Sequence, residues 1–140
     1  MNLDCNIISD DEIIYRRIPA SMEWYDGTTN TLSPEAFSPH KKNDTTGISI
    51  TRAAHKSIED AAKGMGNSYY IAELRVGDLR DHGIEVVSQP IIADGVEDIS
   101  HAELPGLNAA NYKSDGVIEW TRLLAEKLTL RIEGPFSSQG

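Results

Sequence analysis

Apolar and polar side chains alternate from Ser68 to Val76. Tyr70, Ala72, Leu74 and Val76 fall on one face, and Tyr69, Ile71, Glu73 and Arg75 on the other. A period of two predicts a strand, with the Glu and Arg marking the face that meets water. Asp78 to His82 follows as a single helical turn, with Gly83 suited to the left-handed position after it. Ile84 to Val87 predicts a short β-branched strand, ended at Gln89-Pro90. The link between these two strands falls short of the roughly 10–12 residues that a parallel crossover needs. They are therefore expected to be antiparallel, or to turn a corner between sheets.

The same patterning predicts strands at Glu12–Ile18, with Ile13 and Tyr15 opposite Ile14 and Ile18, and at Gly47–Thr51, with Ile48 and Ile50 inward. Between them, Asp26-Gly27 marks a turn, and 28–46 has no periodicity. That long loop is expected to hold one turn in which Ser33 is the N-cap, Pro34 sits at N1 and Phe37 anchors to the core. Ser57-Ile58-Glu59-Asp60 opens a short helix that Gly64 and Gly66 close. Because Gly64-Met65-Gly66 ends a helix rather than opening one, it does not read as a phosphate loop.

Ser114 to Leu128 is the best helix. Val117, Ile118, Trp120, Thr121, Leu124, Ala125 and Leu128 form one apolar arc at 100° per residue, while Leu123 falls among the charged positions. Thr129 to Glu133 alternates as a last strand, ended by Gly134-Pro135. The expectation is one α+β domain spanning 1–140, with a small, mainly antiparallel or mixed sheet. The C-terminal amphipathic helix and the short helices pack on it, and residues 1–11 and 134–140 are loosely ordered.

Charge narrows the function classes. Thirteen basic against 22 acidic residues among 140 give a net charge of −9 and a pI near 4.8, which argues against binding DNA or RNA through a basic footprint. From Asp81 to Tyr112 there is no Lys or Arg, while Asp81, Glu85, Asp94, Glu97, Asp98 and Glu103 are acidic. Such a run is either a solvated face or a docking surface for a basic partner. The single cysteine, Cys5, suits a reducing compartment. The acidic N-terminus has no signal-peptide pattern, and no apolar run is long enough to span a membrane, so a cytoplasmic location is expected.

Chemistry is sparse. Cys5, Ser88 and Ser100 beside His101 are the nucleophile candidates, but no nucleophile elbow is present. His40, His55, His82 and His101 lack paired ligand spacing. Asp94, Glu97, Asp98 and His101 would share a helix face, but Gly95 and Val96 weaken a helix there, so neither a metal site nor a cofactor is expected. Arg16 and Arg17, adjacent on a strand, must point to opposite faces. One of them then reaches the interior, where it needs a carboxylate or carbonyl partner or a cavity open to ligand; alternatively both guard a sheet edge.

Two readings follow. The first is an acidic protein-interaction module of accessory, immunity or inhibitor type. It would bind a protein partner, basic in character, through Asp94, Glu97, Asp98 and Leu123. The alternative is a small enzyme or ligand-binding domain with an anion site built from Arg16, Arg17 and His101, with Glu103 as a further acid–base candidate.

Overall fold

The structure is a computed structural model that describes residues 7–63 and 67–137. Cys5, the Gly64-Met65-Gly66 run and the last three residues lie outside it. Ten strands and three α-helices are described: β1 (Ile13–Pro19), β2 (Tyr25–Asp26), β3 (Thr31–Leu32), β4 (Ile48–Arg52), α1 (Ile58–Ala61), β5 (Tyr69–Arg75), α2 (Val76–Arg80), β6 (Val87–Ser88), β7 (Ile91–Ala93), β8 (Val96–Asp98), β9 (His101–Leu104), α3 (Asp115–Leu123) and β10 (Arg131–Phe136). Six strands form one sheet in the order β10-β5-β1-β4-β9-β6, and β2-β3 and β7-β8 are separate two-stranded ribbons. Every pairing is antiparallel. The expected α+β class, with a C-terminal helix and short helices on a mainly antiparallel sheet, is what is found.

Local signals act where the sequence puts them. The Ser33 hydroxyl accepts from the Glu35 N–H ahead of a 3-10 turn over Pro34–Phe37, and Phe37 is fully buried. The Ser57 and Ser114 hydroxyls cap α1 and α3 by accepting from the Asp60 and Val117 N–H groups. Gly83 takes a φ of 80° in the turn after α2. The C-terminal helix runs on past Leu123 as a π-helical turn over Leu124–Leu128.

One sheet face carries the main core. Ile14, Ile18, Ile48, Ile50, Leu74 and Leu104 pack there against Phe37, Leu79, Val117 and Leu124. The opposite face carries a smaller cluster, in which α1 lays Ala61 and Ala62 over Ile71.

Four expectations change. The water-facing side of β5 is covered: β5 lies between β10 and β1, Ile71 is fully buried, and Glu73 is buried in an ion pair with Arg131. An alternating pattern reports one buried face but cannot exclude that a helix covers the other. Next, β5 and the short strand after α2 do not pair. Three strands separate them, each antiparallel to the next, so β5 and β6 run in the same sense. Third, the acidic stretch after Pro90, which its sequence marks as a long loop, holds the β7–β8 hairpin, turned at Asp94 (φ 53°) and Gly95 (φ 78°). Last, the described part of the N-terminal arm, Ile8 to Glu12, is tied down where its polar pattern predicts a loose one. Ile8 is buried, Asp10 and Asp11 pair with Arg80 and Arg75, and Glu12 reaches Arg52.

Candidate functional site: a cleft where two strands part

The site begins with an interrupted ladder. β1 pairs with β5 along its whole length, from Ile13↔Arg75 to Pro19↔Tyr69, but with β4 only at Ile14↔Arg52 and Tyr15↔Thr51. Beyond Tyr15 the two strands splay, and a cleft of about 750 Å³ opens there. That size falls within the roughly 300–1,000 Å³ typical of small-molecule sites. Its walls come from β1, β4, β9, α1, the 33–44 segment and the β7–β8 hairpin. Because the gap cuts through the sheet, side chains from both faces of β1 reach it. Arg16 and Arg17 line the same cleft although they point to opposite faces.

Arg16 takes the place of the missing ladder bonds. Its Nε donates to the Ala36 carbonyl and its Nη1 to the Ser49 carbonyl, each at 2.9 Å. Among the described residues no carboxylate lies within ion-pairing distance of it. Burial pushes the guanidinium down to about 10; Asp44 opposes that from a distance and Arg17 adds to it. Arg17 donates to the Lys63 carbonyl at 2.8 Å and lies 4.9 Å from the centre of the Tyr69 ring, in cation–π range. The other two cations of the lining are already neutralised, Lys56 by Asp98 at 2.9 Å and Lys63 by Asp60 at 3.1 Å.

The carboxylate partner expected for a buried arginine belongs to a different arginine. Arg52, 2% exposed, is held bidentately by Glu12, Nε to Oε2 at 2.6 Å and Nη2 to Oε1 at 2.8 Å. Arg52 ends an isoleucine-rich strand, and nothing in its local pattern marks it as interior.

His101 stands across the cleft on β9. Its Nδ1 is 2.7 Å from the Gln89 carbonyl and its Nε2 is 3.2 Å from the Ser49 hydroxyl. A carbonyl only accepts, so Nδ1 carries the proton and Nε2 of the neutral ring is free to accept from Ser49. Ser49 is thus the joint of the site, its carbonyl on Arg16 and its hydroxyl on His101. Sequence reasoning missed it. The available signal was a serine at the outward position of an inward-facing Ile-Ser-Ile strand. Ser100 turns away into a bond with Asp98, and Ser88 lies on β6.

The remaining candidates spread out. Glu103 lies two residues beyond His101 but accepts from the Thr46 hydroxyl at 3.1 Å and is not part of the cleft. Asp98 lines the cleft rather than standing clear of it. Burial works to raise its carboxyl, but hydrogen bonds from the Ser100 hydroxyl and N–H and from Lys56 outweigh that and hold it down to about 2. Asp94 and Glu97 are exposed on the β7–β8 hairpin. Leu123 is half-buried against the core, while Ile118 of the apolar arc is 44% exposed. Among the described residues no group of three or more His, Cys, Asp or Glu side chains is arranged to hold a metal ion. Nor, among the same residues, is any helix long and apolar enough to cross a membrane. The chain matches no known family profile, no curated protein and no solved structure.

Proposed function

We propose that this protein binds a small anionic ligand in the cleft between β1 and β4, with Arg16 as the principal anchor and Arg17 and His101 beside it. The observation that carries this reading is the state of Arg16: a half-buried guanidinium at the cleft wall, held by two carbonyls, with no carboxylate among the described residues in contact. Partly desolvating a cation without an ion pair costs free energy, and functional sites are where such costs are kept. An incoming phosphate or carboxylate would supply the missing counter-charge and engage the part of the guanidinium fork that the carbonyls leave open. We assign the protein to the cytoplasm on the ground of its single cysteine.

Thermal-shift and calorimetric titration with inorganic phosphate and pyrophosphate test it. Binding should raise the melting temperature with ligand concentration by mass action, and Arg16→Ala should abolish the rise. A melting temperature unmoved by either anion, or a rise that survives Arg16→Ala, would sink the proposal.

The second reading, a protein-interaction module, is supported by the β7–β8 hairpin. It projects Ile92 and Val96, 75% and 68% exposed, beside the exposed Asp94 and Glu97. The register sets Ile92 beside Glu97 on one face of the ribbon and Val96 on the other. An exposed apolar side chain with an acidic neighbour suits a partner that is basic around a hydrophobic contact.

A further inference from the structure

We propose that Ser49 and His101 form a nucleophile–base pair acting on phosphate esters. The proposal rests on the anion-binding reading of the same cleft. β4 and β9 pair so that Thr51 faces His101 and Ser49 faces Glu103. His101 is therefore the diagonal neighbour of Ser49 on one sheet face, close enough for long side chains to meet. Three features then coincide. The Ser49 hydroxyl is exposed to the cleft and 3.2 Å from Nε2. The far nitrogen of the ring is fixed by the Gln89 carbonyl at 2.7 Å, which sets the tautomer that leaves Nε2 basic. The guanidinium of Arg16 is bonded to the backbone carbonyl of Ser49, so a cation sits at the main chain of the nucleophile's own residue. A hydroxyl, a base and a third group orienting the base are the parts of an activated nucleophile. A cation beside them selects an electrophile that carries negative charge, and charge on the phosphoryl oxygens is what arginine stabilises during transfer.

In the first step Ser49 Oγ forms a bond to phosphorus while its proton passes to His101 Nε2. The bond from phosphorus to the ester oxygen breaks, and the leaving oxygen keeps that electron pair and takes the proton from Nε2. In the second step water attacks the phosphoserine and gives a proton to Nε2. The Ser49–phosphorus bond breaks, and Oγ recovers that proton. The sum is ester plus water giving alcohol plus phosphate, with no further reactant.

The test is reaction of the full chain with an alkyl fluorophosphonate, where fluoride is the leaving group, read by intact mass and peptide mapping. One phosphonyl group should appear on Ser49, and excess inorganic phosphate should slow its arrival. His101→Ala should slow labelling by about a hundredfold or more, as removal of a general base does. Mapping is read on the unaltered chain, so it does not depend on a variant folding. An unlabelled protein, label on another residue, or labelling as fast in His101→Ala would overturn the pair. If phosphate still binds in that event, the anion cleft stands without the chemistry; if phosphate does not bind either, both readings fall.

Discussion

Arg16 and Ser49 meet at the point where two neighbouring strands stop pairing. The Arg16 Nη1 donates to the Ser49 carbonyl at 2.9 Å, a side-chain bond where the β1–β4 ladder would otherwise continue. Arg52 lies on the same sheet face, directly opposite Ile14, and is neutralised by Glu12. The two arginines should therefore answer differently to removal. Arg52→Ala leaves Glu12 buried without its partner and should cost about 3–5 kcal/mol. Arg16→Ala loses two bonds to carbonyls but also relieves a half-buried, unpaired charge, so the balance should stay within about 1 kcal/mol of zero. Denaturant unfolding of both variants checks this, and equal losses would mean that Arg16 is structural.

Asp98 ties the β7–β8 hairpin to Lys56 and Ser100. Its carboxyl is held at about 2 in the folded chain, below the roughly 3.9 of an unfolded aspartate. A depressed acid contributes stability above the unfolded value and loses it as pH falls through the folded one. Wild type should therefore exceed Asp98→Asn above about pH 4, by no more than about 2 kcal/mol once screening at this partly exposed site is counted. The gap should close between about pH 4 and pH 2. Melting curves across that window decide, and a gap that persists at pH 2 would assign the effect to packing.

Gly47 enters β4 at a φ of 136°, and a Cβ there would lie 2.6 Å from the Leu104 carbonyl oxygen and 2.8 Å from Pro105 Cα. Both obstacles are backbone, so β4 and β9 would have to separate beside Ser49. Gly47→Ala should cost about 2 kcal/mol or more and weaken phosphate binding. Gly95, with nothing within 4 Å of such a Cβ, should lose only about 1 kcal/mol on the same change, from its left-handed backbone alone. Similar losses at the two positions would remove the close approach as the cause.

Glu97 is exposed on the hairpin without the bridge that holds Asp98. Glu97→Lys should leave the melting temperature within about 0.5 kcal/mol equivalent of wild type. If a basic partner docks on this hairpin, the same change should lower the association rate, and rising salt should do likewise. A rate indifferent to both would remove electrostatic docking from the hairpin.

The acidic run shows where local reading stops. No cation lies between Asp81 and Tyr112 in the sequence, yet Arg80 meets Glu85 at 3.2 Å and Lys56 meets Asp98. Counter-ions came from residues just before the run and from another loop. The candidate site was half legible in the same sense. Two adjacent arginines on a strand announced that they would point to opposite faces, and both line the one cleft. That Arg16 would rest on carbonyls, and that Glu12 would serve Arg52, could not be read from spacing.

The sequence by itself determined the elements whose causes are local. The alternation of β1, β4 and β5, the serine caps at Ser33, Ser57 and Ser114, the glycine turn at Gly83 and the apolar arc of α3 each depend on neighbours within a few residues. Tertiary structure alone decided which strands adjoin, and with that the functional geometry. Ser49 and His101 are 52 positions apart and meet only because β4 lies beside β9. The cleft exists only because β1 stays with β5 and leaves β4 after Tyr15. Strand order is set by how whole faces bury against helices across the sheet, and a pattern of period two is the same whichever neighbour a strand acquires.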